Sequence, residues 1–181
     1  MPPQALFGVS VALSFIAWGI VAVRYIWPEL RSRSRADALR PLLILHSFRF
    51  IGLAFLVPGV VGPDLSPAFA RPAAYGDLIA AILAWLALAG LQSRPGPFLV
   101  WVFNLWGGAD LLYAFYQGNA VGLDPGQLGA TYFIVTVVVP LLLITHWLVF
   151  RILLKRHATG NSNDGNLQPN ARTNEPRRHS R

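Results

Sequence analysis

His46, Arg49, Asp77, Asp110 and His146 stand inside stretches that are otherwise almost wholly apolar. An ionisable side chain in hydrocarbon costs at least ~2.5–3.5 kcal/mol on insertion scales, so each of these needs a partner, an aqueous cavity or a function. His46 and Arg49 are three residues apart and share one helical face, pointing at a common neighbour. Asp110 belongs to a different apolar stretch, offset from Arg49 along the membrane normal by about 7 Å, a gap a long arginine side chain spans. An Arg49–Asp110 ion pair is therefore the expected contact, either a clamp that holds helices together or a gate on a polar pathway. Asp77 reads as an interfacial residue that caps its helix, the alternative being that it admits a cation or proton toward Asp110.

The two histidines fall at matching depth. His46 follows the start of its apolar stretch by about five residues, and His146 precedes Arg151 by the same number on a stretch running the other way. Two inward imidazoles on different helices have the chemistry to ligate a haem b or a transition metal, or to relay protons. The plainer expectation is hydrogen bonding across helices, with Asn104 and Thr145 in the same layer as partners. Thr136 enters through Pro140, whose missing N–H leaves the Thr136 carbonyl without its usual donor and predicts a kink. Trp18, Trp85, Trp101, Trp106 and Trp147 are the residues of interface belts and helix packing, or of an apolar pocket.

Other chemistries are excluded or disfavoured by what the sequence lacks. It contains no cysteine, which removes disulfides, thiolate nucleophiles, iron–sulfur clusters and thiolate zinc sites. There is no Gly-x-Ser-x-Gly elbow and no His-Glu-x-x-His helix, so the balance is against an enzyme. Lys155 is the sole lysine and follows the last apolar stretch, where it cannot form a buried Schiff base. The net charge of +7 does not imply a nucleic-acid partner, because the basic residues gather at stretch ends and in the tail, where topology and anionic lipid account for them.

The elements that must position these residues are long apolar helices. Hydrophobic residues make up 54% of the chain and charged ones 13%, and runs of about twenty residues are long enough to cross a ~30 Å hydrocarbon core. The expected fold is an all-α integral membrane bundle, residues 1–156, with transmembrane spans at about 5–27, 41–62, 76–92, 98–116 and 130–150. Pro63 and residues 64–75 read as an outer interfacial loop, 93–97 as a tight turn and 117–129 as a second outer loop. Ala80, Ala84, Ala87 and Gly90 predict close helix approach. Residues 157–181 read as a disordered basic tail.

Arg24, Arg31, Arg33, Arg35, Arg40, Arg94 and every basic residue from Arg151 onward fall on one side of a five-span arrangement, against Arg71 alone on the other. The positive-inside rule then places the N-terminus outside and the C-terminus in the cytoplasm, with the basic face on anionic lipid headgroups. Arginine in place of lysine, with abundant alanine, glycine and proline, points to a bacterial cytoplasmic (inner) membrane. Three functions fit: a small transporter or ion- or proton-conducting protein using a polar path, with homo-oligomerisation enlarging a narrow bundle; a haem b or metal redox protein on His46 and His146; or a non-catalytic assembly or regulatory protein.

Overall fold

A computed structural model describes residues 1–154, so the tail expected at 157–181 lies outside the described residues. The described residues are helical, with no strand among them, and include five helices long and apolar enough to cross a membrane. These are α1 (Pro3–Ser32), α2 (Arg35–Leu56), α3 (Pro67–Ala89), α4 (Gly96–Ala120) and α5 (Ile134–Leu154). Their starts are local chemistry. Pro3, Pro67 and Pro97 occupy the opening positions of α1, α3 and α4, where a missing N–H costs nothing. Ser34 caps α2, its hydroxyl accepting from the Asp37 N–H at 3.3 Å.

Two helices depart from the expected bounds in ways that matter for the site. Helix α3 begins at Pro67, inside the stretch expected to be an interfacial loop. Proline-rich composition argued for a loop, but Pro67 opens the helix and Pro72 costs only one backbone bond, that to the carbonyl of Ala68. The side-chain amide of Gln117 on α4 donates to that carbonyl at 3.5 Å. Helix α2 starts before Pro41 and stops at Leu56, and its last nine residues, Phe48–Leu56, wind as a 3₁₀-helix.

Prolines inside α1 and α5 are absorbed by widened turns. A π-helical turn at Ala22–Ile26 precedes Pro28, and another at Ile134–Val138 precedes Pro140. Such turns re-space the ladder where proline withholds a donor, and they bend the helix. Around the turn in α5 side chains add bonds to the backbone: Trp18 Nε1 donates to Val137 O at 3.1 Å, and Thr136 Oγ1 donates back to Tyr132 O, just ahead of the helix, at 2.8 Å.

The first bond, with a Ser10–Tyr132 hydroxyl pair at 3.0 Å, docks α1 on α5. Otherwise α1 is peripheral, with 6% of its most apolar window buried against 44% for α3 and α5. Alanines bring α3 into the centre: Ala74, Ala80, Ala81, Ala84 and Ala87 are fully buried, the small-residue packing that lets helices approach without a bulky side chain between them. The segment after α2 and the 3₁₀-turn before α5, Pro125–Thr131, zip together through Gly62 N–H to Gln127 O and Ala130 N–H to Val60 O, each at 2.8 Å. Gly129 sits between them at φ 53°, where a Cβ would strike the Val60 carbonyl.

Two apolar cores result. One, at the arginine-rich end, gathers Leu39, Leu43, Val100, Phe103, Leu148 and Val149; the other, at the opposite end, gathers Phe55, Phe69, Ala73, Leu128 and Ile134. The polar residues occupy the layer between the two.

Candidate functional site: a buried ion cluster

Arg49 is the centre of that layer and is 1% exposed. The 3₁₀ winding after Ser47 explains its position. In an α-helix, residues spaced by three drift about 60° per step, so four of them would spread over half the circumference; at 3.0 residues per turn they stack in a row. His46, at the end of the α-helical part, and then Arg49, Gly52 and Phe55 are buried at that spacing.

Every nitrogen of the guanidinium is engaged. Nε donates to Asp77 Oδ1 at 2.7 Å, and Nη2 lies 2.6 Å from the same oxygen and 2.7 Å from Asp110 Oδ2. Nη1 donates to the Gly107 carbonyl at 3.1 Å and reaches His146 Nε2 at 3.3 Å. One arginine from α2 thereby ties α3, α4 and α5 together. Arginine has five donors in a planar fork and no acceptor, so it serves this many directions at once.

That one-way donation fixes the histidine beside it. Arg49 cannot accept, so His146 Nε2 must be the acceptor and Nδ1 must carry the proton. Nδ1–H then donates to Asn104 Oδ1 at 2.7 Å. His46 packs on His146 with ring centroids 4.2 Å apart, and its Nε2 meets Thr145 Oγ1 at 2.9 Å. The Phe103 ring covers both imidazoles, at 5.0 Å and 5.3 Å. Two buried polar atoms of this layer, His46 Nδ1 and Asn104 Nδ2, have no hydrogen-bond partner among the described residues.

Space for the cluster is made by glycine. A Cβ on Gly52 would strike the Asp77 carboxylate, and one on Gly76 would strike that of Asp110. A Cβ on Gly107 would come within 2.6 Å of the His146 ring and 2.7 Å of Arg49 Nη1. Each carboxylate is thus received in a notch on the facing helix.

The residues singled out from the sequence divide as follows. Arg49, Asp110, His46, His146, Asn104 and Thr145 come together in one layer. Asp77 joins them as well, which corrects its assignment as an interfacial cap: α3 starts at Pro67, so Asp77 lies well inside the helix and is 7% exposed. Thr136 is buried but spends its hydroxyl on its own helix. The notches at Gly52, Gly76 and Gly107 were not assigned a role from sequence; Gly52 and Gly107 stand three residues from Arg49 and Asp110 within apolar runs, a spacing that marks them, whereas Gly76, next to Asp77, carries no such signal.

A haem between His46 and His146 does not suit this arrangement. The rings are in direct contact, centroids 4.2 Å apart and planes tilted by 48°, with no gap for a macrocycle, and both nitrogens of His146 are committed, to Asn104 and to Arg49. Among the described residues there is also no group of three or more His, Asp or Glu spaced to hold a metal ion.

A cavity of about 300 Å³ adjoins the cluster on the side away from the arginine-rich end. Asp77 and Asp110 lie in its wall, together with Phe7, Phe55, Phe69 and Phe115. Its remaining lining comes from the start of α1, the far end of α4 and the connection to α5, so it reaches toward one end of the bundle. Carboxylates therefore face the cavity, and the guanidinium that pairs with them and the two imidazoles lie behind, outside its wall.

Fold and site together define an all-α bundle of five membrane-length helices built around a buried ion cluster. The chain belongs to the family described as a domain of unknown function, DUF8737, whose family model matches residues 6–154. No curated protein and no solved structure matches it.

Proposed function

We propose that the chain is a multi-pass protein of a bacterial cytoplasmic membrane that conducts protons or monovalent cations through the Arg49 cluster. The observation that carries this is the charge count beside the cavity: one guanidinium between two carboxylates, Asp77 and Asp110. With both carboxylates ionised the cluster holds a net charge of −1, a costly state in a low-dielectric layer, and a single proton or cation neutralises it. A structural clamp is complete with one carboxylate; the second gives the site a place to load and unload. Behind Arg49 lie two buried hydrogen-bonded pairs, His146 with Asn104 and His46 with Thr145, their imidazole centroids 4.2 Å apart, and histidine is the side chain best suited to pass a proton.

Orientation follows from the loops. The turns that carry Arg31, Arg33, Arg35, Arg40 and Arg94, with Arg151 at the end of α5, favour the cytoplasmic side, which puts the cavity toward the outside. Anionic headgroups are the partners of that basic face. A second copy of the chain, packed on the little-buried α1, is the natural way to enlarge so narrow a bundle.

The test is flux in proteoliposomes holding a trapped pH indicator, driven by a potassium diffusion potential. The proposal expects potential-driven proton or cation entry that Asp110→Asn abolishes while the variant keeps its helical content and folded yield. Equal flux from Asp110→Asn and the unaltered protein would overturn it.

A further inference from the structure

Resting on that reading, we infer that the cavity binds a monovalent organic ammonium ion with an apolar body, taken up in exchange for a proton at Asp77 and Asp110. The lining selects this class by exclusion and by fit. Among the described residues, its charged members are the two carboxylates, with no lysine, arginine or histidine in the wall, so an anion finds no counter-charge there. Beside the carboxylates only Gln4 and Asn119 carry side-chain oxygens in the wall, too few to replace the water shell of an inorganic cation, and Phe7, Phe55, Phe69 and Phe115 offer none. An alkylated ammonium is weakly hydrated, and aromatic faces attract it through the ring quadrupole.

Size and charge set the limits. A volume of about 300 Å³ is at the lower end of what small-molecule sites use, enough for one aryl or short-alkyl ammonium. Arg49 already neutralises one carboxylate, so one unit of negative charge is left for the ligand. A bound monocation and a bound proton are therefore alternatives: the quaternary ammonium enters with its single positive charge, the carboxylic acid O–H breaks, its electron pair stays on the carboxylate and the proton leaves to water. No electron changes hands.

The experiment is calorimetric titration of the detergent-solubilised full chain with benzyltrimethylammonium in weakly buffered solution containing a pH indicator. Neopentylbenzene, its uncharged carbon isostere, and benzenesulfonate serve as controls, and proton flux in proteoliposomes is measured on the same preparation. The expected result is saturable binding of the ammonium with release of up to one proton per chain. Affinity should fall about tenfold or more in Asp110→Asn, as loss of a charge-assisted contact predicts. Both controls should bind more weakly to the unaltered protein. Equal binding of neopentylbenzene would overturn the inference, because the cavity would then be an apolar hole indifferent to charge. Flux without ammonium binding would overturn it too while leaving the conduction reading intact; absence of both would sink the two together.

Discussion

The guanidinium of Arg49 holds two carboxylates, a backbone carbonyl and an imidazole, and no other side chain reproduces that set. Lysine at 49 would supply a point charge with three donors and could not span Asp77, Asp110, Gly107 and His146 together. Removing the charge altogether strands two carboxylates in a buried layer, so Arg49→Met is expected to destabilise the folded protein by about 3–5 kcal/mol. The triple variant Arg49→Met, Asp77→Asn, Asp110→Asn removes the charges together and should regain most of that loss. Denaturant unfolding in detergent, followed by tryptophan fluorescence, checks both. At this scale much could be read from the sequence, because depth along a helix is counted in residues: Arg49 with Asp110, and His46 and His146 with Thr145 and Asn104, follow from distance to the span ends. Asp77 did not follow, because its depth depends on where α3 starts. Two prolines before it mimic a loop while sitting where a helix tolerates them, with Gln117 covering the bond that Pro72 gives up.

The helices carry the cluster through features of backbone, not of side-chain chemistry. Gly52, Gly76 and Gly107 are notches, and filling one forces a charged group out of place. Gly76→Ala should cost about 1–3 kcal/mol by overpacking against Asp110, whereas Gly8→Ala on α1, where a Cβ meets open space, should cost nothing and gain up to about 1 kcal/mol of helix propensity. Thermal unfolding of the two variants side by side measures the difference. The 3₁₀ winding of Phe48–Leu56 is a second such feature. Hydropathy reports that a stretch is apolar and long, but α and 3₁₀ winding have the same composition, so the span was legible and its pitch was not. The spacing His46, Arg49, Gly52, Phe55 fits the tighter winding once the buried face is known. Pro140 shows the same division: a disturbance of α5 follows from the residue alone, whereas its form, a π turn whose neighbouring carbonyl takes Trp18, depends on α1 being there to donate.

Across the whole molecule, an all-α fold with five membrane-length helices was legible because such helices satisfy their own backbone and announce themselves by length. Which way they run is a separate matter, and the chain is suited to testing it, since it has no cysteine. In intact cells, Asp64→Cys is expected to react with a membrane-impermeant maleimide and Gln92→Cys only after permeabilisation; the reverse pattern would invert the topology. The cavity would then open to the cytoplasm, and the direction of loading with it. The central claim, that the Arg49 cluster is a path and not merely a clamp, is tested most directly by potential-driven flux through the triple variant Arg49→Met, Asp77→Asn, Asp110→Asn in proteoliposomes. That variant keeps the volume of the cluster while removing its charge. The account predicts a folded protein with no flux above that of empty liposomes; a folded triple variant that conducts as the unaltered chain does would contradict it.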